Sequence, residues 1–164
     1  MKAALLVLLF AAISFKNIKA GNFLQQFDKT SYYQILKNGN VAEINTEIAL
    51  IDASSLKDKD AFKGALMMKK AGLLKVPKEK LNNFKKGATK LETVLHADTS
   101  NVEYRFLRLI IQEHAPKVVK YNKNIADDAA FIKKNYKELS PEVQKILIDY
   151  SQTSKALKPQ DFQS

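Results

Sequence analysis

From residue 23 to residue 157 the apolar side chains return at intervals of three and four, the spacing that keeps them on one face of an α-helix. The first run, "NFLQQFDKTSYYQILKNGN", predicts a helix over about 23–37, with Asn38 and Gly39 suited to a left-handed stop. The next starts at Asn40, an N-cap residue with Glu43 three positions on, and carries Val41, Ile44, Ile48 and Ile51 on one face. A third run ends at Gly72, where Ala61, Gly64 and Ala65 beside Met68 would let a neighbouring helix approach closely. Pro77 suits the first turn of a fourth, whose face of Leu81, Phe84, Ala88, Leu91 and Leu95 is backed by lysines. Ser100 and Glu103 read as a capping box opening the fifth helix, which Pro116 should stop at or before Ala115.

After a looser segment, "KVVKYNKN", Asn124 is the expected cap of a sixth helix, striped by Ile125, Ala129, Ile132, Tyr136 and Leu139. Asp127 and Asp128 fall in its first turn, where the helix dipole favours carboxylates. Ser140 and Pro141 open the seventh, over "SPEVQKILIDYSQTSKAL", and the tail from residue 159 to 164 should fray. About seven helices on short joints predict an all-α fold: antiparallel hairpins stacked in an array or closed into a small bundle. Residues 21–158 are the expected domain.

The start of the chain breaks this pattern. "MKAALLVLLFAAISFKNIKA" sets one lysine before an apolar run too short to span a bilayer, the layout of an export signal. Cleavage after Ser14 puts Ala12 at the −3 position and fits the small-residue rule better than cleavage after Ala20, which puts Ile18 there. Export to the periplasm, or alternatively to the medium, is therefore expected, with no integral membrane segment once residues 1–20 are gone. The chain has no cysteine, so disulfides, thiolate metal sites and cysteine nucleophiles are excluded. The core alone must hold the protein together.

Composition adds a basic surface. Removing residues 1–20 takes three of the 27 basic residues and leaves 24 against 17 acidic ones. The lysines are spread along the chain among Asp and Glu, and lysine rather than arginine dominates, which argues against a nucleic-acid partner. The glycines are isolated, so no phosphate loop is present. His96 and His114 flank one helix about 27 Å apart at 1.5 Å per residue, too far to share a metal. Neither a cofactor nor an enzymatic constellation is evident, and no activity is expected. Tyr32 and Tyr33, with Phe23 and Phe27, read as core anchors.

Arg105 and Arg108 are the only arginines, and they share a narrow polar strip with Gln112 on an otherwise apolar helix. The favoured reading is structural: an Arg105–Glu92 fork fixing helix register, with Arg108 on another carboxylate or on carbonyls at a helix end. The alternative is that Arg105 and Arg108 line a concave surface and hold a carboxylate or phosphate. Tyr121, among three lysines in "KVVKYNKN", is the best candidate for an exposed contact with an anionic glycan, lipid or partner.

The stretch "TKLETVLHADTSNVEYRFLRLIIQEHAPK", with its N-x-E-x-R-F-L-R pattern at residues 101–108, resembles a family of uncharacterised exported bacterial helical proteins described as tetratricopeptide-like. The likeness covers roughly residues 60–138 and implies helical hairpins in a right-handed array, protein binding and no established reaction. Gly87, Leu91 and Val94 stand where the repeat has small, large and small residues. Arg105 and Arg108 stand where it has an aromatic and a leucine. The function expected is that of an exported, non-enzymatic protein-binding or scaffold module meeting another envelope protein. The alternative is a binder of an acidic small molecule or anionic envelope polymer through a lysine-rich surface.

Overall fold

Among the described residues seven α-helices form: α1 (Lys29–Asn38), α2 (Val41–Ala53), α3 (Lys59–Leu73), α4 (Pro77–Ala97), α5 (Val102–His114), α6 (Ile125–Asn135) and α7 (Pro141–Ser151). α1 starts later than the expected residue 23, because the Asp28 side chain caps it by accepting from the Ser31 amide. The computed structural model describes residues 27–57 and 59–163, and no strand occurs among them. The apolar start, both cleavage points and Phe23 lie outside the described residues.

The ends of the helices explain their lengths. Asn40 and Glu43 form the expected capping box on α2, and the Ser140 hydroxyl accepts from the Val143 amide at the start of α7. Pro77 occupies the first turn of α4. Other caps differ from expectation. Gly39 stops α1 with φ −65° and ψ 146°, extended rather than left-handed. On α5 the cap is Asn101, whose side chain accepts from the Tyr104 amide; Ser100 turns away to Asp98, and Glu103 is drawn off to Lys29 and Tyr33. Asn124 makes no cap bond to α6, because its amide oxygen faces Gln112 instead. α6 tightens into a 3-10 turn at Tyr136–Glu138, and α7 ends six residues before Leu157.

The tail is held rather than frayed. Phe162 is 6 % exposed, its ring lies 5.0 Å from that of Tyr136, and its carbonyl accepts from the Tyr136 hydroxyl. A large apolar side chain and a buried phenol that needs an acceptor outweigh the entropy of a free end.

α3 is the hub. It touches α1, α2, α4 and α5, and packs most extensively on α4. The expected small-residue approach is made there. A Cβ added to Gly64 would sit 2.6 Å from the Gly87 carbonyl oxygen, and one on Gly87 would meet the Gly64 carbonyl at 2.6 Å, so the two backbones touch. Tyr32 and Tyr33 are buried as anchors, with Phe27 packed on Tyr32 and the Tyr32 hydroxyl donating to the Phe62 carbonyl. The first and last helices also meet: Glu142 on α7 accepts from both the amide and the hydroxyl of Thr30 on α1. In an open row of repeats each unit touches only its neighbours. This contact joins the two ends as in a small bundle.

Candidate functional site

α5 carries two unlike faces. At about 100° per residue, Arg105, Arg108 and Gln112 fall within one arc, and Ile110 lies about 140° round the helix from Arg105. The first face makes a buried ionic seam; the opposite one floors an open cleft.

In the seam, Arg108 is 5 % exposed and Asp128 is 0 % exposed. Arg108 sets Nε and Nη2 on the two carboxylate oxygens of Asp128, both at 2.7 Å, and sends Nη1 to Glu92 at 2.9 Å. Arg105 adds a third bond to Asp128 at 3.0 Å, gives Nε to the Thr99 carbonyl, and lies over the Phe131 ring at 4.2 Å. Burial alone would lower the Arg108 pKa, but the paired carboxylates more than reverse that and raise it. The expected Arg105–Glu92 pair is therefore not the one that forms. Arg108, one turn further along, reaches Glu92, and Arg105 turns to α6. Asp128, read from sequence only as a dipole partner, is the centre of the network; nothing local marks it, since its partners lie 20 and 23 residues away.

Tyr121 joins the seam to the cleft. Its hydroxyl donates to Glu92 at 2.5 Å, and its ring meets Phe84 edge-on at 5.5 Å. Burial, then the Glu92 carboxylate, pushes the phenol pKa well up. Its polar atom is thus committed inside the protein, and what it presents to the cleft is an apolar ring.

The cleft has a volume of about 1270 Å³ and lies among α1, α3, α4, α5, α7 and the turn after α5. That is somewhat more than the roughly 300–1,000 Å³ common for small-molecule sites. Phe106, Ile110 and Ile111 form its floor, Met68 and Phe84 one wall, Tyr150 another. Five large apolar side chains stand exposed among the described residues. Three of them, Leu73, Leu81 and Val118, line this cleft, and a fourth, Val76, sits in the α3–α4 joint. Val118 is 84 % exposed at the lip. Lys37, Lys69, Lys80 and Lys85 line the cleft against a single acid, Asp149. Lys69 donates to the Lys37 carbonyl, whereas no ion pair forms at Lys37, Lys80 or Lys85 among the described residues. His114 also lines the cleft, its Nδ1 2.8 Å from the Ile110 carbonyl, a bond that requires the proton on that nitrogen.

A second carboxylate fixes the α7 wall. Glu113 accepts from the Tyr150 hydroxyl at 2.5 Å, from the Ser154 hydroxyl, and from the backbone amides of Lys155 and Ala156 at 2.8 and 2.9 Å. These bonds end α7 early, because the chain leaves the helix to deliver its amides to the carboxylate. The sequence offers no signal for Glu113, one of several acids on helical surfaces. Among the described residues no group of three or more His, Asp or Glu is placed to hold a metal ion, and no helix is long and apolar enough to cross a membrane.

Comparison of the chain with protein families, with curated proteins and with solved structures finds no match.

Proposed function

We propose that this is a non-enzymatic binding protein that receives an apolar ligand in the cleft floored by α5. One observation carries the reading: exposed large apolar side chains gather at this cleft and its adjoining joint instead of scattering over the surface. The floor is rigid before any ligand arrives, since α5 is pinned on its other side by Asp128 and Glu92. Preorganisation of that kind lowers the entropic cost of binding.

Arg105 and Arg108 serve this function as the fixture behind the floor and not as ligand contacts, because all three guanidinium nitrogens of Arg108 meet Asp128 or Glu92, and Arg105 is drawn to Asp128 and Thr99 on the side away from Ile110. The signal-like start supports a place in the cell envelope, the periplasm before the medium, where another envelope protein would supply or receive the ligand.

The test is titration with N-phenyl-1-naphthylamine, an uncharged apolar dye that brightens on leaving water. Saturable binding at one site is expected, lost in an Ala88→Trp variant that fills the cleft while remaining folded by circular dichroism. Equal binding by the filled variant would overturn the proposal.

A further inference from the structure

We infer that the ligand is an acyl chain bearing an anionic head, the tail lying over Phe106, Ile110 and Ile111 and the head held at the lysine rim. The inference rests on the proposed apolar binding function and goes further by naming the ligand's chemistry. Its basis is the separation of apolar and charged groups within one cleft. The cleft's aromatic walls turn carbon toward an acyl chain, because the polar atom of Tyr121 is engaged by Glu92 and that of Tyr150 by Glu113. Lys37, Lys69 and Lys80 stand near the ends of α1 and α3 and in the first turn of α4, with Lys85 one turn beyond.

Four ammonium groups facing one carboxylate, Asp149, make the rim positive, and the ammoniums of Lys37, Lys80 and Lys85 are not neutralised by an ion pair among the described residues. A neutral hydrocarbon would leave that charge unused. A polyanion without a tail would leave Leu73, Leu81 and Val118 in water. A molecule with both parts matches both surfaces. Rim lysines are hydrated, so the head contributes selectivity while the tail contributes most of the affinity.

The experiment is displacement of the neutral dye from the full folded chain by hexadecanoate and by hexadecanol, each below its aggregation concentration. Hexadecanoate is expected to compete about tenfold better at low salt, with the advantage shrinking at high ionic strength. Shortening the tail should weaken either competitor about fourfold per methylene. In the double variant Lys80→Glu/Lys85→Glu the ratio of hexadecanoate to hexadecanol affinity should fall to about one or below, while dye binding shows that the cleft is intact.

Equal competition by the alcohol in the wild-type protein overturns the anionic head and leaves the apolar cleft standing. Absence of dye binding overturns both. Two further arms identify the source of the chemistry. Displacement by phosphatidylglycerol vesicles but not by hexadecanoate overturns a free single-chain ligand in favour of a membrane surface. Displacement only by an acidic amphipathic peptide overturns a lipid altogether.

Discussion

The two faces of α5 treat their neighbours in opposite ways. On the seam face, every charged donor of Arg108 meets a carboxylate and Asp128 has no exposed surface. Over the cleft face, Leu73, Leu81 and Val118, from α3, α4 and the turn after α5, leave carbon surface open to water beside lysines that make no ion pair among the described residues. Arg108 and Asp128 are satisfied within the chain, although Gln112 Oε1 beside them is buried without a hydrogen-bond partner, whereas the cleft stays open. A buried polar group is costly until it is paired, so the first face is an expression of folding. Gathered exposed apolar surface marks places where a second molecule docks, which is the basis of the binding role proposed for the other face.

The largest effect should come from breaking the seam. Asp128→Ala leaves Arg108 buried with only Glu92 and should cost about 3–5 kcal/mol in urea unfolding. Combined with Arg108→Ala, the loss should be well short of additive. Small, additive losses would mean that α5 is held by apolar packing alone. Next in size is Glu113→Ala, expected to cost about 1–3 kcal/mol because it strips the acceptor from two backbone amides and two hydroxyls. Hydrogen exchange at Lys155 and Ala156 should quicken in that variant, and unchanged protection would show that the α7 wall does not depend on the carboxylate.

Glu47 sharpens the contrast among buried acids. It is 2 % exposed, its Oε1 has no hydrogen-bond partner, and burial, followed by the charge of Asp28, raises its pKa. With the folded pKa raised, its contribution to stability is whole below the unfolded value of 4.5 and is lost as pH climbs through the folded value. Glu47→Gln should therefore gain about 1 kcal/mol at neutral pH. The gain should vanish as pH falls to 4.5, and a pH-independent difference in melting temperature would refute it. The smallest effects belong to the cleft. Leu81→Ser and Val118→Ser should change stability by about 0.5 kcal/mol or less yet weaken dye binding. A large loss of stability would show that these side chains are core.

Much of this architecture was legible because it is local. Helical spacing fixes which residues face inward, and the caps Asn40–Glu43 and Ser140–Val143 each join residues three apart. The polar strip of Arg105, Arg108 and Gln112 was visible for the same reason. Its partners were not. Counting back across the joint placed Arg105 beside Glu92, but α4 runs to Ala97 and α5 starts at Val102, which moves the pairing by one turn to Arg108. Asp128 comes from α6, and no spacing rule brings a third helix to a particular side chain. The cleft was out of reach altogether, since its surface is assembled from five helices and a turn. The lysines around Tyr121 point to an exposed anionic contact, whereas its place follows from a hydrogen bond to Glu92 across 29 residues.

The crossing of Gly64 and Gly87 has a geometric consequence for everything around it. From that fulcrum the front half of α4, residues 77–86, reaches outward as a lever bearing Leu81 and Phe84 on its inner side. The aperture between this lever and the floor of α5 is gauged by two missing methyl groups. One carbon atom added at the pivot would tilt the arm and reset the opening many residues away.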